Sequence, residues 1–472
     1  MFESINVRKV LSKALSGQGM FADLFAEETL TTTIELEEGK VEKVSSGIRR
    51  GAGVRLIHDL RTAYAYTNSL QENSLLELAG VVAEASRGKR GKSEKGENVE
   101  NAEKVADLVS STVPLISPIE IPPDRVPLSE KVARLWEAEA AARKLDKRVR
   151  QVLVVYRDGR RRISVANSDG LMASDENTQT IFAVRVVAEQ DGKVQTGMET
   201  HGGTMGFEIF STRSPEEIAL KAARRAILML DARKAPAGRM SVVLSSEAGG
   251  TMIHEAIGHG LEADLAEEGL SVYTGKLGEM IASPLISVAD DATLLNKRGS
   301  FGMDDEGTPA QRTLLVEKGV LKGYMYDRFT AMKMKGVSTG NGRRESYEHK
   351  PIVRMTNTMI LPGEADPKEV LKATDKGLLV KRMGGGQVNT VNGDFVFEID
   401  EGYLIEGGEA AEPVRGATLV GNGPEVLKAI DMVGDDLGFG IGTCGKDGQA
   451  VPIADAQPTL RIPEITVGGE VS

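Results

Sequence analysis

Apolar and polar positions along this chain change period several times, and the changes mark its elements. Residues 7–15 read as a helix, while residues 31–37 and 53–57 alternate as strands do, which predicts an opening α/β unit. Residues 87–104 (RGKRGKSEKGENVENAEK) are almost wholly charged, polar or glycine. They cannot bury surface, so they predict an exposed linker and the favoured point of proteolytic nicking. A proline-rich passage, 114–127, leads to an amphipathic helix around 129–145 and then to strands near 151–156, 161–166 and 180–189. Ser214-Pro215-Glu216-Glu217 is a helix start, with serine at the cap, proline in the first helical position and glutamate placed to close a capping box. That helix should run to about residue 233, where Pro236 and Gly238 end it. The apolar Val242-Val243-Leu244 then predicts a strand that delivers the chain into a short helix bearing histidines. Beyond it the pattern is mostly β, with hairpins expected at 314–316/320–324 and 387–391/394–399, and one helix at 424–432.

The chain has 472 residues, more than one hydrophobic core usually supports. Three segments are expected: an N-terminal α/β domain (1–104), a central α/β segment (105–236), and a large β-rich C-terminal domain (237–472) carrying a metal-binding helix. The fold class is α+β. Glycine, at 53 residues, exceeds its usual share of about 7% and agrees with many tight turns. No apolar run approaches the length of a membrane span, and the first twenty residues lack a signal-peptide pattern, so the expected location is the cytoplasm, away from membranes. A net charge of −11 disfavours nucleic acid as a main partner. The local cluster Arg160-Arg161-Arg162 follows the turn-like Asp158-Gly159 and reads as a solvated hairpin strand. The one cysteine, Cys444, excludes an intramolecular disulfide and a cysteine-only zinc site.

Two of the five histidines fall in the segment His254-Glu255-Ala256-Ile257-Gly258-His259. Ordinary zinc proteases space such histidines four apart, which puts both on one helix face. Five apart, they would diverge by roughly 140° in a regular helix. Both reach one ion only if the backbone leaves α geometry, through a π-bulge or an ended helix, and Gly258 and Gly260 are placed to permit that. Zinc hydrolysis needs three protein ligands, an open position for water, and a base for that water's proton. His254 and His259 are the ligands this suggests, and Glu255 the base. For the third ligand Glu262, Asp264, His349 and Cys444 all stand open. Three other motifs carry less. Gly336-Val337-Ser338-Thr339-Gly340 has the form of a nucleophile elbow but lacks the strand before and helix after Ser338. Gly440 to Lys446 has phosphate-loop spacing, yet Asp447 stands where a hydroxyl is needed. The triplet Gly384-Gly385-Gly386 reads as strand packing or a turn ahead of an anion or peptide cradle.

Taken together these residues resemble the TldD/PmbA metalloproteases, and within them a TldD-type catalytic member. The likeness runs through Glu38-Gly39-Lys40-Val41-Glu42, Ser45-Ser46-Gly47 and Ala63-Tyr64-Ala65-Tyr66-Thr67-Asn68. It continues through His254 to Asp264, Asp304-Asp305-Glu306-Gly307, Thr339 to Tyr347, Arg354 to Thr358, the glycine triplet with Gln387, and Gly421-Asn422-Gly423-Pro424. The resemblance implies a cytosolic, Zn2+-dependent peptidase acting on unfolded peptides, with His254, His259 and Cys444 as metal ligands and Glu255 activating water. It also implies a homodimer, or a heterodimer with a sister PmbA-type subunit. A non-enzymatic peptide-binding or partner subunit holding a structural metal is the alternative. Arg343, Arg344, Tyr347 and His349 read equally as substrate contacts or as structural partners of nearby carboxylates.

Overall fold

Seven strands from the first half of the chain build one sheet. In this computed structural model, which describes residues 1–16, 19–87, 105–114 and 116–469, these are β1 (Phe21–Glu37), β2 (Lys40–His58), β3 (Arg61–Thr67), β4 (Val109–Ser111), β5 (Val149–Asn167), β6 (Leu171–Gln190) and β7 (Lys193–Gly203). Their order is β3-β2-β1-β5-β6, with β4 and β7 both pairing to β6. Strands on either side of residue 104 thus share one sheet. The predicted linker at 88–104 lies outside the described residues.

Alternation along β1 explains how the sheet is covered. Its even positions face helices: Leu24 packs with α1 (Val7–Ala14) and α2 (Glu72–Arg87), and Ile34 and Leu36 pack with α3 (Leu128–Leu145) and the helix Pro215–Asp231. On the other face Phe25, Ile163 and Val165 meet Met303 and Tyr347 of the second half. The helix at Pro215 starts as predicted, with the Ser214 side chain accepting from the Glu217 N–H and the Glu217 carboxylate accepting from the Ser214 N–H.

Two expectations are corrected here. Asp158-Gly159 makes no turn, because β5 runs unbroken through it; Asp158 is buried in an ion pair with Lys131 instead of being solvated. The neighbouring arginines are all committed, Arg160 to Asp124, Arg161 to Glu27 and Asp305, and Arg162 to Glu176.

In the second half, five strands close a ring. Lys376–Val388 pairs with Gly238–Leu244, which is followed by Leu460–Gly468, Thr418–Asn422 and Asp394–Glu406, and the last pairs back to the first. A six-stranded sheet stands beside it and ends in the hairpin Gly438–Lys446/Gln449–Gln457, with Gly438–Lys446 as its outer strand. The mixed α+β class is as expected, and the expected hairpins pair around 317–320 and 389–393. No helix among the described residues is long and apolar enough to cross a membrane.

Candidate metal centre

The strand Gly238–Leu244 leaves the ring and leads into a helix whose geometry changes every few residues. Thr251–Ile253 is α-helical, His254–Gly258 is π-helical and His259–Leu261 is a 3-10 turn. The His259 N–H donates to the His254 carbonyl, five residues back. A π turn of this kind stacks residues five apart as an α turn stacks residues four apart. The two imidazole rings consequently sit 5.0 Å apart between centroids, at 83°. The departure from α geometry demanded by the spacing is present.

Its cause differs from the expectation. Gly258 has an ordinary right-handed φ of −55°, so the glycine is needed for space. A Cβ there would lie 2.2 Å from the Met355 sulfur, and one at Gly260 would lie 2.7 Å from the Tyr273 ring. A broken helical ladder leaves carbonyls that must find other donors. The Tyr273 hydroxyl donates to the Ala256 carbonyl at 3.1 Å, and the Ser271 hydroxyl to the Gly260 carbonyl at 2.5 Å.

Cys444 arrives on the outer strand Gly438–Lys446. Its Sγ lies 3.5 Å from His259 Nε2, and one ligand atom from each of His254, His259 and Cys444 falls within 4.8 Å of the others. Burial acts to raise the thiol, but the two imidazoles outweigh it and hold Cys444 down at about 5. His254 Nδ1 is buried without a hydrogen-bond partner. An orphaned buried polar atom costs about 1–3 kcal/mol, and two imidazoles with a thiolate are a donor set that suits zinc. The residues fit a metal ion.

Behind the trio stands a second polar layer. His259 Nδ1 donates to Glu262 Oε2 at 2.9 Å, and Glu262 is fully buried. Lys446 reaches Glu262 at 3.1 Å and both Asp264 oxygens at 2.7 Å. Burial pushes the Glu262 carboxyl up, yet the charges of Lys446 and His259 overcome it and leave it at about 2. A carboxylate held ionised on Nδ1 fixes the His259 tautomer and aims Nε2 at Cys444. Glu262 and Asp264, candidates for the third ligand, therefore serve from behind. The role of Lys446 was not anticipated, although it follows Cys444 by two positions and so shares its strand face. Asp455 was also missed; its carboxylate accepts the Gly250 N–H at 2.9 Å and ties the start of the helix to the strand Gln449–Gln457.

Glu255 lies next to His254, half-buried, with no hydrogen-bond partner among the described residues. Burial pushes its carboxyl up. It and the metal trio line a cleft of about 880 Å³ between the two halves of the molecule, bordered by Thr200 and His201 of β7, Lys297, the glycine triplet and Gly440 to Gly445. The triplet is strand, at a point where the pairing of Lys376–Val388 with Asp394–Glu406 slips.

The remaining candidates lie elsewhere. Ser338 follows the helix Arg328–Met334, the reverse of a nucleophile elbow, and its hydroxyl meets Thr308 and the Tyr326 carbonyl. Gly440 to Lys446 is an edge strand and forms no phosphate loop. Arg343 donates to the Met355 and Pro452 carbonyls, and Arg344 packs 4.0 Å above the Phe25 ring and bonds Asp305. The Tyr347 N–H donates to Glu27, and His349 Nδ1 lies 3.3 Å from the Ser346 hydroxyl. None of these four borders the metal cleft.

Profiles of the PmbA/TldA metallopeptidases match along the chain: domain 1 at residues 22–86, the central domain at 121–230 and the C-terminal domain at 237–469. A metalloprotease TldD homolog of Haemophilus influenzae is 38% identical over 456 residues, covering 95% of this chain and 93% of its own. A zinc metalloprotease TldD homolog of Saccharolobus solfataricus is 27% identical, covering 98% and 100%. Among solved structures, TldE from Thermococcus kodakarensis superposes with a TM-score of 0.77 at 18% identity, covering 96% and 97%. A protein from Thermotoga maritima, described as a proposed modulator of a DNA gyrase, gives 0.77 at 23%, covering 95% and 96%. These two share the fold. The profile matches and the TldD homologues together place the chain in the TldD/PmbA family of metallopeptidases.

Proposed function

We propose that the chain is a zinc-dependent peptidase that hydrolyses unfolded peptides in the cytosol. The observation that supports this most is the convergence of His254, His259 and Cys444 at the wall of a peptide-sized cleft, with Glu255 unpaired beside them. His254, His259 and Cys444 would hold the ion. When bound, zinc supplies a Lewis acid that polarises the scissile carbonyl and lowers the pKa of water. Glu255 takes a proton from the attacking water and delivers it to the leaving amine. Glu262 holds the His259 ring in place. The outer strand Gly438–Lys446 offers backbone to an extended peptide, which reads main chain over side chain and gives broad specificity. The working unit is a homodimer, or a heterodimer with a sister PmbA-type subunit.

The decisive experiment is metal analysis together with cleavage of a denatured protein pool by the wild type, Glu255→Ala and Cys444→Ala. The expected result is about one zinc per chain, chelator-sensitive cleavage, retained metal without cleavage in Glu255→Ala, and lost metal in Cys444→Ala. Normal cleavage by metal-free protein would sink the reading. Stoichiometric zinc with no cleavage by the wild type would favour the non-enzymatic partner instead.

A further inference from the structure

Outside the metal trio, the charged groups that line the cleft are matched, with two exceptions. Arg213 and Arg382 share Glu199, at 3.0 and 3.4 Å, Glu247 pairs with Lys381 at 3.4 Å, and Asp455 accepts the Gly250 N–H. Glu255 is one exception. Lys297 is the other: its half-buried ammonium has no ion pair and no hydrogen bond among the described residues, and it sits 3.8 Å from the centre of the Phe439 ring. A desolvated charge without a counter-ion is costly. Burial pushes the Lys297 ammonium below the usual lysine range, and no carboxylate stands near enough to oppose it.

The next residue deepens the imbalance. Arg298 gives its guanidinium to two neutral acceptors, the Gly442 carbonyl and the Thr443 hydroxyl, and burial together with the charge of Arg157 pushes it down to about 10. The positive field reaches His201, also on the cleft wall, which burial, Arg213 and Lys297 hold below its ordinary range. The turn that carries Lys297 is fixed, since its carbonyl accepts the Thr204 hydroxyl at 2.8 Å and the Ser300 N–H at 3.0 Å. This end of the cleft is built around a cation and supplies no anion for it.

We propose that Lys297 is a specificity residue that binds a carboxylate of the substrate peptide, carried by an acidic side chain or by the C-terminus. Phe439 and Cys444 border the cleft from one strand, five positions apart, so at about 3.3 Å per residue the carboxylate lies roughly 16 Å along the wall from the metal trio. An extended peptide covers that span in about five residues. Reading of main chain by the outer strand is thus joined by selection for acid at a set distance from the bond that is cut. The proposal rests on the peptidase reading for the peptide's course through the cleft, and binding tests it apart from turnover.

The test uses the zinc-loaded full chain carrying Glu255→Gln, so that peptides remain whole. Fluorescence anisotropy is recorded with acetylated, amidated peptides in which a single Glu is moved stepwise along a neutral sequence, and with the Glu-free peptide bearing a free C-terminus. Glu at the favoured position, or the free terminus, should tighten the Kd about tenfold over the neutral amidated peptide, and the arm that responds tells side chain from terminus. Lys297→Met keeps an apolar contact with the Phe439 ring and should abolish the gain while leaving the neutral peptide's binding as it was. Lys297→Glu should reverse the preference, favouring Lys at the same position, which a lysine of merely structural role would not do. Equal binding of acidic and neutral peptides, or none, overturns the proposal, as does a preference that survives Lys297→Met or fails to reverse in Lys297→Glu. A wild type that binds with this preference yet cuts nothing loses the peptidase reading and keeps this one.

Discussion

Two buried polar clusters lie in this molecule, and they are built for opposite ends. One gathers Asp23, Asp304, Glu306 and Asp327 near the guanidinium of Arg55, all almost fully buried. Arg55 bonds Asp23 and reaches Glu306 at 2.6 Å, so it ties the first sheet to the second half. Asp304 accepts the N–H groups of Glu306, Thr308 and Gly342, and burial beside Glu306 pushes its carboxyl well above the usual range. The other cluster is His254, His259 and Cys444 backed by Glu262 and Lys446. It is buried less completely, with His259 and Lys446 only partly covered, and it opens to a cleft, with Glu255 at its mouth and without a hydrogen-bond partner among the described residues. Burial and charge are common to both. What separates them is access: the first cluster is shut between the sheet and the second half, and the second lines a cleft.

The sharpest break between the two comes from Glu255. Glu255→Gln should lower peptide cleavage by about 10²–10⁴-fold, the range of a lost general base, while zinc content and melting temperature stay at wild-type values. Cleavage within threefold or so of wild type would remove Glu255 from the chemistry. Arg55→Met should act in the reverse sense. It leaves Asp23 and Glu306 buried without their cation, at a cost of about 3–5 kcal/mol in stability, and denaturant unfolding should show that loss with the metal affinity of the surviving folded protein unchanged. An undiminished stability would mean that the clamp between the halves lies elsewhere.

These clusters were unequally legible in the sequence. The five-residue histidine spacing demanded a helix defect, and a π turn supplies it, because geometry alone forbids the alternative. The Ser214 capping box was equally plain, since it needs only residues three positions apart. Cys444 could not be reached by such local arithmetic, standing 185 residues from His259; the family likeness pointed to it. Local turn chemistry misled at Asp158-Gly159, where Lys131 from α3 takes up the aspartate inside the sheet's helix layer. Helix α2 went unread, and so did the Asp23–Arg55–Glu306 clamp, in which two partners facing each other across the β1–β2 pair meet a carboxylate some 250 residues further on.

Within the metal cluster, Glu262→Gln tests whether the second layer matters. The amide still accepts from His259 Nδ1 but loses the charge that Lys446 and His259 share. Zinc affinity, measured by competition with a chelating dye, should fall about 10–100-fold, with fold and cleft intact. An unchanged affinity would show that the trio needs no backing.

The smallest effect belongs to Asp327 and bears on the closed cluster alone. Burial and the Glu306 charge raise its carboxyl to about 7, so between its ordinary range and that value the folded chain holds a proton the unfolded chain has lost. Stability must then fall as pH rises through that window, the reverse of a salt-bridged aspartate. Asp327 also caps the helix Arg328–Met334, its Oδ1 accepting the Thr330 N–H at 2.7 Å. Asp327→Asn keeps an oxygen for that bond, since asparagine caps as well as aspartate, and removes the charge that must be held off. Above neutral pH the variant should therefore be the more stable of the two, on the order of 1 kcal/mol, because Asp304 and Glu306 continue to share the burden. Near pH 5, where the wild-type carboxyl is protonated, the difference should vanish. Melting temperatures recorded across that range decide it: parallel curves would mean that Asp327 is ionised throughout, and that the closed cluster tolerates charge as readily as the open one.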